Sequence, residues 1–311
     1  MNNHDNYTWY DWFNLGSKHF DRETYQEAIS CFDKVLIIKP DHRPAYVKKG
    51  YILAYLEKHE EAIYNFDRAI NIQPEDYESW TNKGFSLLEI RKFEEAIFCL
   101  NKAIEIQPKV YPPYLFKGYL LLELSQYEES IINFEAALNI EHKLPEALNG
   151  KGFALWKLTK YNDALTYLEK AILLKEDYLE AWINKGTALG NLGLHQKALE
   201  SFVKAIEIEP KDEIAWFSKG ITLSNLGEYI KSLEAYQTAK KLLSNTQNEI
   251  YTNIIYGEAC CYCLLNDINS AIKYLEESIK LSPDMKNLAK TDSDFQSIRN
   301  DKRFIELIYG L

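Results

Sequence analysis

Three of the five cysteines lie within four residues, Cys260, Cys261 and Cys263 in the stretch EACCYCLLND. Thiols this close could hold a metal ion, carry a redox couple or simply pack. On a helix, residues three apart share a face, so Cys260 and Cys263 align while Cys261 points elsewhere. Three thiols so placed do not converge on one tetrahedral ion, and structural zinc takes four ligands from turns or loops. Free cysteine otherwise behaves as a small hydrophobe, and packing is the expected role. The remaining pair, Cys31 and Cys99, stands far away in sequence. The histidines are dispersed (His4, His19, His42, His59, His142 and His195), and no GxSxG, HExxH or glycine-rich phosphate loop occurs. No catalytic residue, metal ligand or cofactor is therefore assigned.

The elements that position these residues follow from a period. Gly16, Gly50, Gly84, Gly118, Gly152, Gly186 and Gly220 are each 34 residues apart. With the glycine at position 8 of a 34-residue unit, position 4 holds Trp12, Tyr46, Trp80, Tyr114, Leu148, Trp182 and Trp216. Alanine or serine recurs at position 20, from Ala28 to Ser232, and a large side chain at position 24, from Phe32 to Tyr236. Spacings of 3, 4 and 7 mark two amphipathic helices per unit, joined by a turn in which Gly193 and Gly227 can be left-handed. Proline at Pro40, Pro74, Pro108 and Pro210 stops the second helix. One such hairpin cannot bury both faces, so neighbours must stack.

This pattern, W-x3-G, A-x3-F-x2-A and a closing proline, resembles the tetratricopeptide repeat over nearly the whole chain. The resemblance implies an all-α fold, a right-handed α-solenoid of antiparallel helix pairs. Residues 1–8 are a tail. Eight repeats occupy 9–285, namely 9–42, 43–76, 77–110, 111–144, 145–178, 179–212, 213–246 and 252–285, with a five-residue insertion at 247–251. In the eighth, Ala259 takes the place of the glycine, which puts the three clustered cysteines on its first helix. Residues 286–311 form a C-terminal cap in which Phe295, Ile298, Phe304 and Leu307 cover the last exposed face.

Members of the family bind partners on the concave surface lined by the first helices, and this implies a site at the matching positions. The apolar candidates are Val47, Tyr51, Phe85, Leu88, Leu115, Tyr119, Leu122, Phe153 and Trp156, expected as a continuous strip. Acids border them, Glu78, Glu89, Glu123, Glu146 and Glu180. The members that clamp a carboxylate use paired cations, whereas Asn14, Val47, Tyr51, Asn82 and Phe85 stand at those positions here. Lysine recurs at position 7 (Lys49, Lys83, Lys117, Lys151, Lys185, Lys219), where its stem is expected to lie over the helix pair with the ammonium at the rim. His59 and His195 stand where other units place an aromatic ring, and packing is expected of them.

Composition bounds the partner. The 311 residues carry 46 acids against 36 Lys and Arg, a net charge of −10, which disfavours nucleic acid. No run reaches the roughly 18–20 apolar residues of a membrane span, so no membrane insertion is expected. The opening MNNHDNYTWY lacks a basic region followed by an apolar run, so no signal peptide is expected, and an odd cysteine count suits a reducing, cytoplasmic setting. The expected function is a non-catalytic scaffold that binds a protein or peptide segment with apolar anchors and basic residues. The alternative is a self-associating protein, a homo-oligomer stacked end to end through Trp9, Tyr10, Phe13 and the C-terminal cap.

Overall fold

The computed structural model describes residues 7–245 and 249–310. Most of the expected N-terminal tail, and residues 247 and 248 of the expected insertion, lie outside the described residues. Among the described residues the chain is all-helical. It forms two compact units, Met1–Ala154 and Leu155–Leu311, which divide inside one helix.

The first unit contains α1 (Trp9–Asp21), α2 (Tyr25–Ile38), α3 (Arg43–Tyr55) and α4 (His59–Ile72). It continues with α5 (Tyr77–Glu89), α6 (Phe93–Ile106), α7 (Pro112–Glu123), α8 (Tyr127–Ile140) and the start of α9 (Pro145–Lys157). The second holds α10 (Tyr161–Leu174), α11 (Leu179–Asn191), α12 (His195–Ile208), α13 (Glu213–Asn225) and α14 (Tyr229–Leu242). After them come α15 (Glu249–Leu264), α16 (Ile268–Leu281), α17 (Asp284–Thr291), a 3-10 turn over Ser293–Ile298 and α18 (Lys302–Tyr309). From α1 to α8 in the first unit, and from α10 to α18 in the second, each helix packs on the next, so antiparallel pairs stack one on another.

The periodic residues explain the pairing. A Cβ placed on Gly50 would come within 2.7 Å of the Phe66 ring, and on Gly220 within 2.5 Å of Tyr236. Only a hydrogen at position 8 lets the ring at position 24 of the same pair lie against the first helix. Opposite, Ala62, Ala96 and Ala198 at position 20 are fully buried, which brings the two backbones close. Where Ser130 and Ser232 replace alanine, each hydroxyl donates to the carbonyl of Gly118 or Gly220, so the buried oxygen is satisfied.

The turn inside each pair is a Schellman-type stop. Lys58 N–H reaches back to Leu53 O at 2.8 Å and Lys92 N–H to Leu87 O at 2.9 Å. The residue between must be left-handed, and Gly193 and Gly227 are, with φ of 72° and 78°. Glu23, Glu57, Arg91, Ser125, Thr159 and Asn266 adopt the same conformation without being glycine.

Residues 249–251 are the first turn of α15, which at 16 residues is longer than the 13-residue α13. After the last pair, Phe295, Ile298, Phe304 and Ile308 are buried against Tyr256, Cys260, Cys263 and Leu275, while Leu307 packs at the edge. No helix among the described residues is long and apolar enough to cross a membrane.

Candidate partner-binding site

The expected exposed strip is not formed. Val47, Leu88 and Leu115 are buried, Phe85, Tyr119, Leu122, Phe153 and Trp156 are half-buried, and only Tyr51, half exposed at 50%, presents its ring to solvent. The physical reason is packing between successive pairs. Phe85 lies against Phe116 of the next pair, centroids 4.9 Å apart. Tyr119 sits edge-on to Phe134 at 5.2 Å, and its hydroxyl donates to the Glu146 carbonyl at 2.8 Å. Leu115 and Leu122 join the same cluster around Phe134. Trp156 belongs to the second unit, where its indole donates to Asn191 Oδ1 at 2.6 Å and Lys157 lies over its ring.

What the first unit does offer is a cavity of about 430 Å³ between α3, α5 and α7. Its walls are Tyr51, His59, Asn82, Phe85, Glu89 and Phe116. Four rings, an amide and a carboxylate at one edge make a receptor for an apolar side chain with a polar or cationic neighbour. His59 does pack as an aromatic, with its ring 6.4 Å from Phe85, but its Nδ1 is buried with no hydrogen-bond partner. Phe116 was not among the sequence candidates, because position 6 carries no periodic signal.

The acids divide. Glu78, Glu89 and Glu180 are exposed, and Glu123 is exposed but bonded to Arg91 at 3.1 Å. Glu146 is half-buried, and its backbone carbonyl is the acceptor for Tyr119.

The position-7 lysines do more than cover the helix pair. Lys49 reaches Asp33 at 2.5 Å, Lys83 reaches Asp67 at 2.6 Å, Lys151 reaches Glu135 at 2.7 Å and Lys185 reaches Glu169 at 3.1 Å. Lys117 donates to the Asn101 amide oxygen at 2.8 Å. Each acceptor stands 16 residues earlier, on the second helix of the preceding pair, so the ladder ties pair to pair. In the last repeat Glu258 takes this place, fully buried, and Lys240 reaches it at 2.7 Å. Burial pushes the Glu258 carboxyl up, opposed by Lys240.

The clustered thiols are covered. Cys261 turns to Ser232 and Ser224, away from Cys260 and Cys263, as the helical spacing requires. The two aligned thiols are buried under the C-terminal segment, with Cys263 3.3 Å from Ser297. Cys260 lies within 4.8 Å of donor oxygens of Asp292 and Asp294, a set that could by composition hold a divalent cation. The bonds present make it a hydrogen-bond network: Tyr256 donates to Asp292 at 2.7 Å and the Cys260 thiol donates to the same oxygen. Burial, reinforced by the two carboxylates, raises the Cys260 thiol far above its ordinary value, which keeps that proton in place.

At the N-terminal end, Trp9 and Phe13 turn onto the His42 ring, both at 4.9 Å, while Tyr10 is exposed.

Family models described as tetratricopeptide repeat match residues 44–76, 111–142, 145–178 and 253–285, residues 77–110 and 179–212, and residues 201–234. No curated protein matches the chain. Among solved structures, Pseudomonas aeruginosa pilF is similar at 17% identity over 73% of this chain and 97% of its own, with a TM-score of 0.60. A tetratricopeptide repeat protein of Parabacteroides merdae is similar at 13% identity over 80% of this chain and 98% of its own, TM-score 0.63. A chain of the APC/C hetero-tetramer Cut9-Hcn1 is similar at 18% identity over 94% of this chain and 57% of its own, TM-score 0.67. At these identities the likeness is one of fold.

Proposed function

The chain belongs to the tetratricopeptide repeat family, and from that premise we propose that it is a non-catalytic scaffold whose partner anchors in the Tyr51–Phe85–Phe116 cavity. The carrying observation is that Tyr51, alone among the nine apolar candidates, leaves its ring exposed, and it does so at the mouth of an aromatic cavity. The occupant is an apolar side chain of a protein or peptide segment, with a Lys or Arg beside it for Glu89. An unpaired carboxylate at the rim gives orientation and on-rate more than affinity, and the buried anchor supplies most of the binding energy.

The five buried free thiols suit a reducing compartment, and the reading places the protein in the cytoplasm. Net charge of −10 argues against nucleic acid as the partner. For self-association through the ends, the N-terminal end offers Tyr10, since Trp9 and Phe13 turn onto His42, and the C-terminal segment offers the exposed Leu288 and Tyr309. A mass by light scattering that rises with concentration would restore that alternative.

Partner capture by the wild type and by Tyr51→Ser from the native lysate tests the assignment. Loss of the same bands at unchanged thermal stability supports it. Equal recovery overturns it.

A further inference from the structure

The position-7 ladder has one gap. Five of its six lysines are answered by an oxygen 16 residues earlier, at Asp33, Asp67, Asn101, Glu135 and Glu169. For Lys219 that residue is Val203, and among the described residues Lys219 has no ion pair. It lies half-buried with its ammonium 4.5 Å from the centre of the Trp216 ring.

Around the gap is a cavity of about 540 Å³ in the second unit, between α12, α13 and α14. Leu199, Val203, Trp216 and Leu223 form its apolar wall, and Lys219 is its one cation without a carboxylate partner, since Lys231 is held by Glu228. Glu234 shares the rim and attracts Lys219 but does not come within ion-pair distance. Burial lowers the Lys219 pKa, and the attraction of Glu234, from beyond ion-pair distance, only partly offsets it.

We infer that this cavity binds a monocarboxylate carrying an apolar or aromatic group, whose carboxylate takes the place of the acid missing at Val203 and whose apolar part lies on Trp216. The volume suits such a molecule, and an ammonium over an indole face, already half-desolvated, gains most from a charged acceptor. The chemistry could come from a free carboxylic acid or from a Glu beside an aromatic residue in a partner segment. The cavity is separate from the Tyr51 cavity, and the inference stands or falls independently of it.

The test is titration of the full chain, followed by ¹H–¹⁵N NMR, with 3-phenylpropionate, its neutral amide, and an end-blocked Ala-Phe-Glu-Ala peptide. The inference expects saturable shifts from the acid or the peptide, with the amide at least tenfold weaker. Binding of the free acid alone assigns the small-molecule source, and binding of the peptide alone assigns the partner segment. Lys219→Met should weaken binding at least tenfold. Val203→Glu, which restores the ladder's own acid, should do the same while raising the melting temperature. Should Val203→Glu not fold, Lys219→Met decides. Lys151→Met, in the first unit, should leave the titration unchanged. No saturable shift from either carboxylate, or equal affinity in the Lys219→Met protein, overturns the inference.

Discussion

Lys151 Nζ lies 2.7 Å from Glu135 Oε1, on the preceding helix pair, with the lysine side chain only 8% exposed and the glutamate half exposed. The two partners are therefore not equivalent. Glu135→Gln removes the counter-charge of a buried ammonium, leaving it a neutral amide oxygen like the one Asn101 offers Lys117, and is expected to cost about 1–2 kcal/mol, between the limits for exposed and buried pairs. Lys151→Met keeps the stem and returns Glu135 to water, at a cost below about 1 kcal/mol. Urea denaturation of the two variants orders them, and an equal or reversed order would contradict the ladder's role.

Tyr119 and Tyr51 should behave oppositely. Tyr119 packs on Phe134 and bonds the Glu146 carbonyl, so Tyr119→Ala should lose about 2–4 kcal/mol of stability. Tyr51→Ala should lose about 0.5–1 kcal/mol and yet release the partner. Thermal melts beside a binding assay separate the two. A Tyr119→Ala protein as stable as the wild type would mean the ring packs far less than its contacts indicate.

Thr159 holds φ of 60° with a β-branched side chain, in a turn where Gly193 and Gly227 do the same without strain. A left-handed non-glycine residue costs about 1–2 kcal/mol, and glycine returns part of this as chain entropy. Thr159→Gly is expected to raise stability by about 0.5–1 kcal/mol, measured by chemical denaturation. Destabilisation would place the strain elsewhere.

His42 caps α3 through Nδ1, which accepts from Ala45 N at 3.3 Å, and it is buried between Trp9 and Phe13. Burial, with Lys39 adding to it, lowers its pKa below the ordinary 6.5, against the opposing pull of Asp41 and a backbone hydrogen bond. The folded chain therefore binds fewer protons than the unfolded chain, and this contribution is whole above pH 6.5 and declines as pH falls through it. The melting temperature should drop more between pH 7.5 and 5.5 in the wild type than in His42→Asn, which keeps a cap that does not titrate. Identical drops would remove His42 as the cause.

All five thiols are buried, and burial raises each thiol where it lies, Cys99 to about 11. Ellman's reagent at pH 8 should titrate almost none in the folded chain and all five after denaturation. Rapid reaction of Cys260 or Cys263 in the native state would mean that the C-terminal segment opens readily.

The glycine at position 8 and the ring at position 24 were legible in the sequence because each repeats and each has one steric meaning. The ladder was half legible. Lys49, Lys83 and Lys151 were seen as a row, but Asp33, Asp67 and Glu135 sit in the preceding repeat, and only reading two units together exposes the 16-residue offset. The strip failed for a related reason. Whether Leu88 or Leu115 faces solvent depends on the tilt between successive pairs, which a period within one pair does not encode. Phe116 and Tyr51 form one cavity from neighbouring units, and no spacing within either announced it.

The central claim is that partners anchor at the Tyr51 cavity, and site-specific photocrosslinking in the native cell tests it most directly. A benzophenone side chain at position 51, and separately at the outer, 80% exposed Leu173, reports what touches each place. The account predicts a discrete partner crosslinked from position 51, lost on addition of Phe85→Ser, and no such species from position 173. Crosslinks from 173 to the same partner at equal yield, or none from 51, would contradict it.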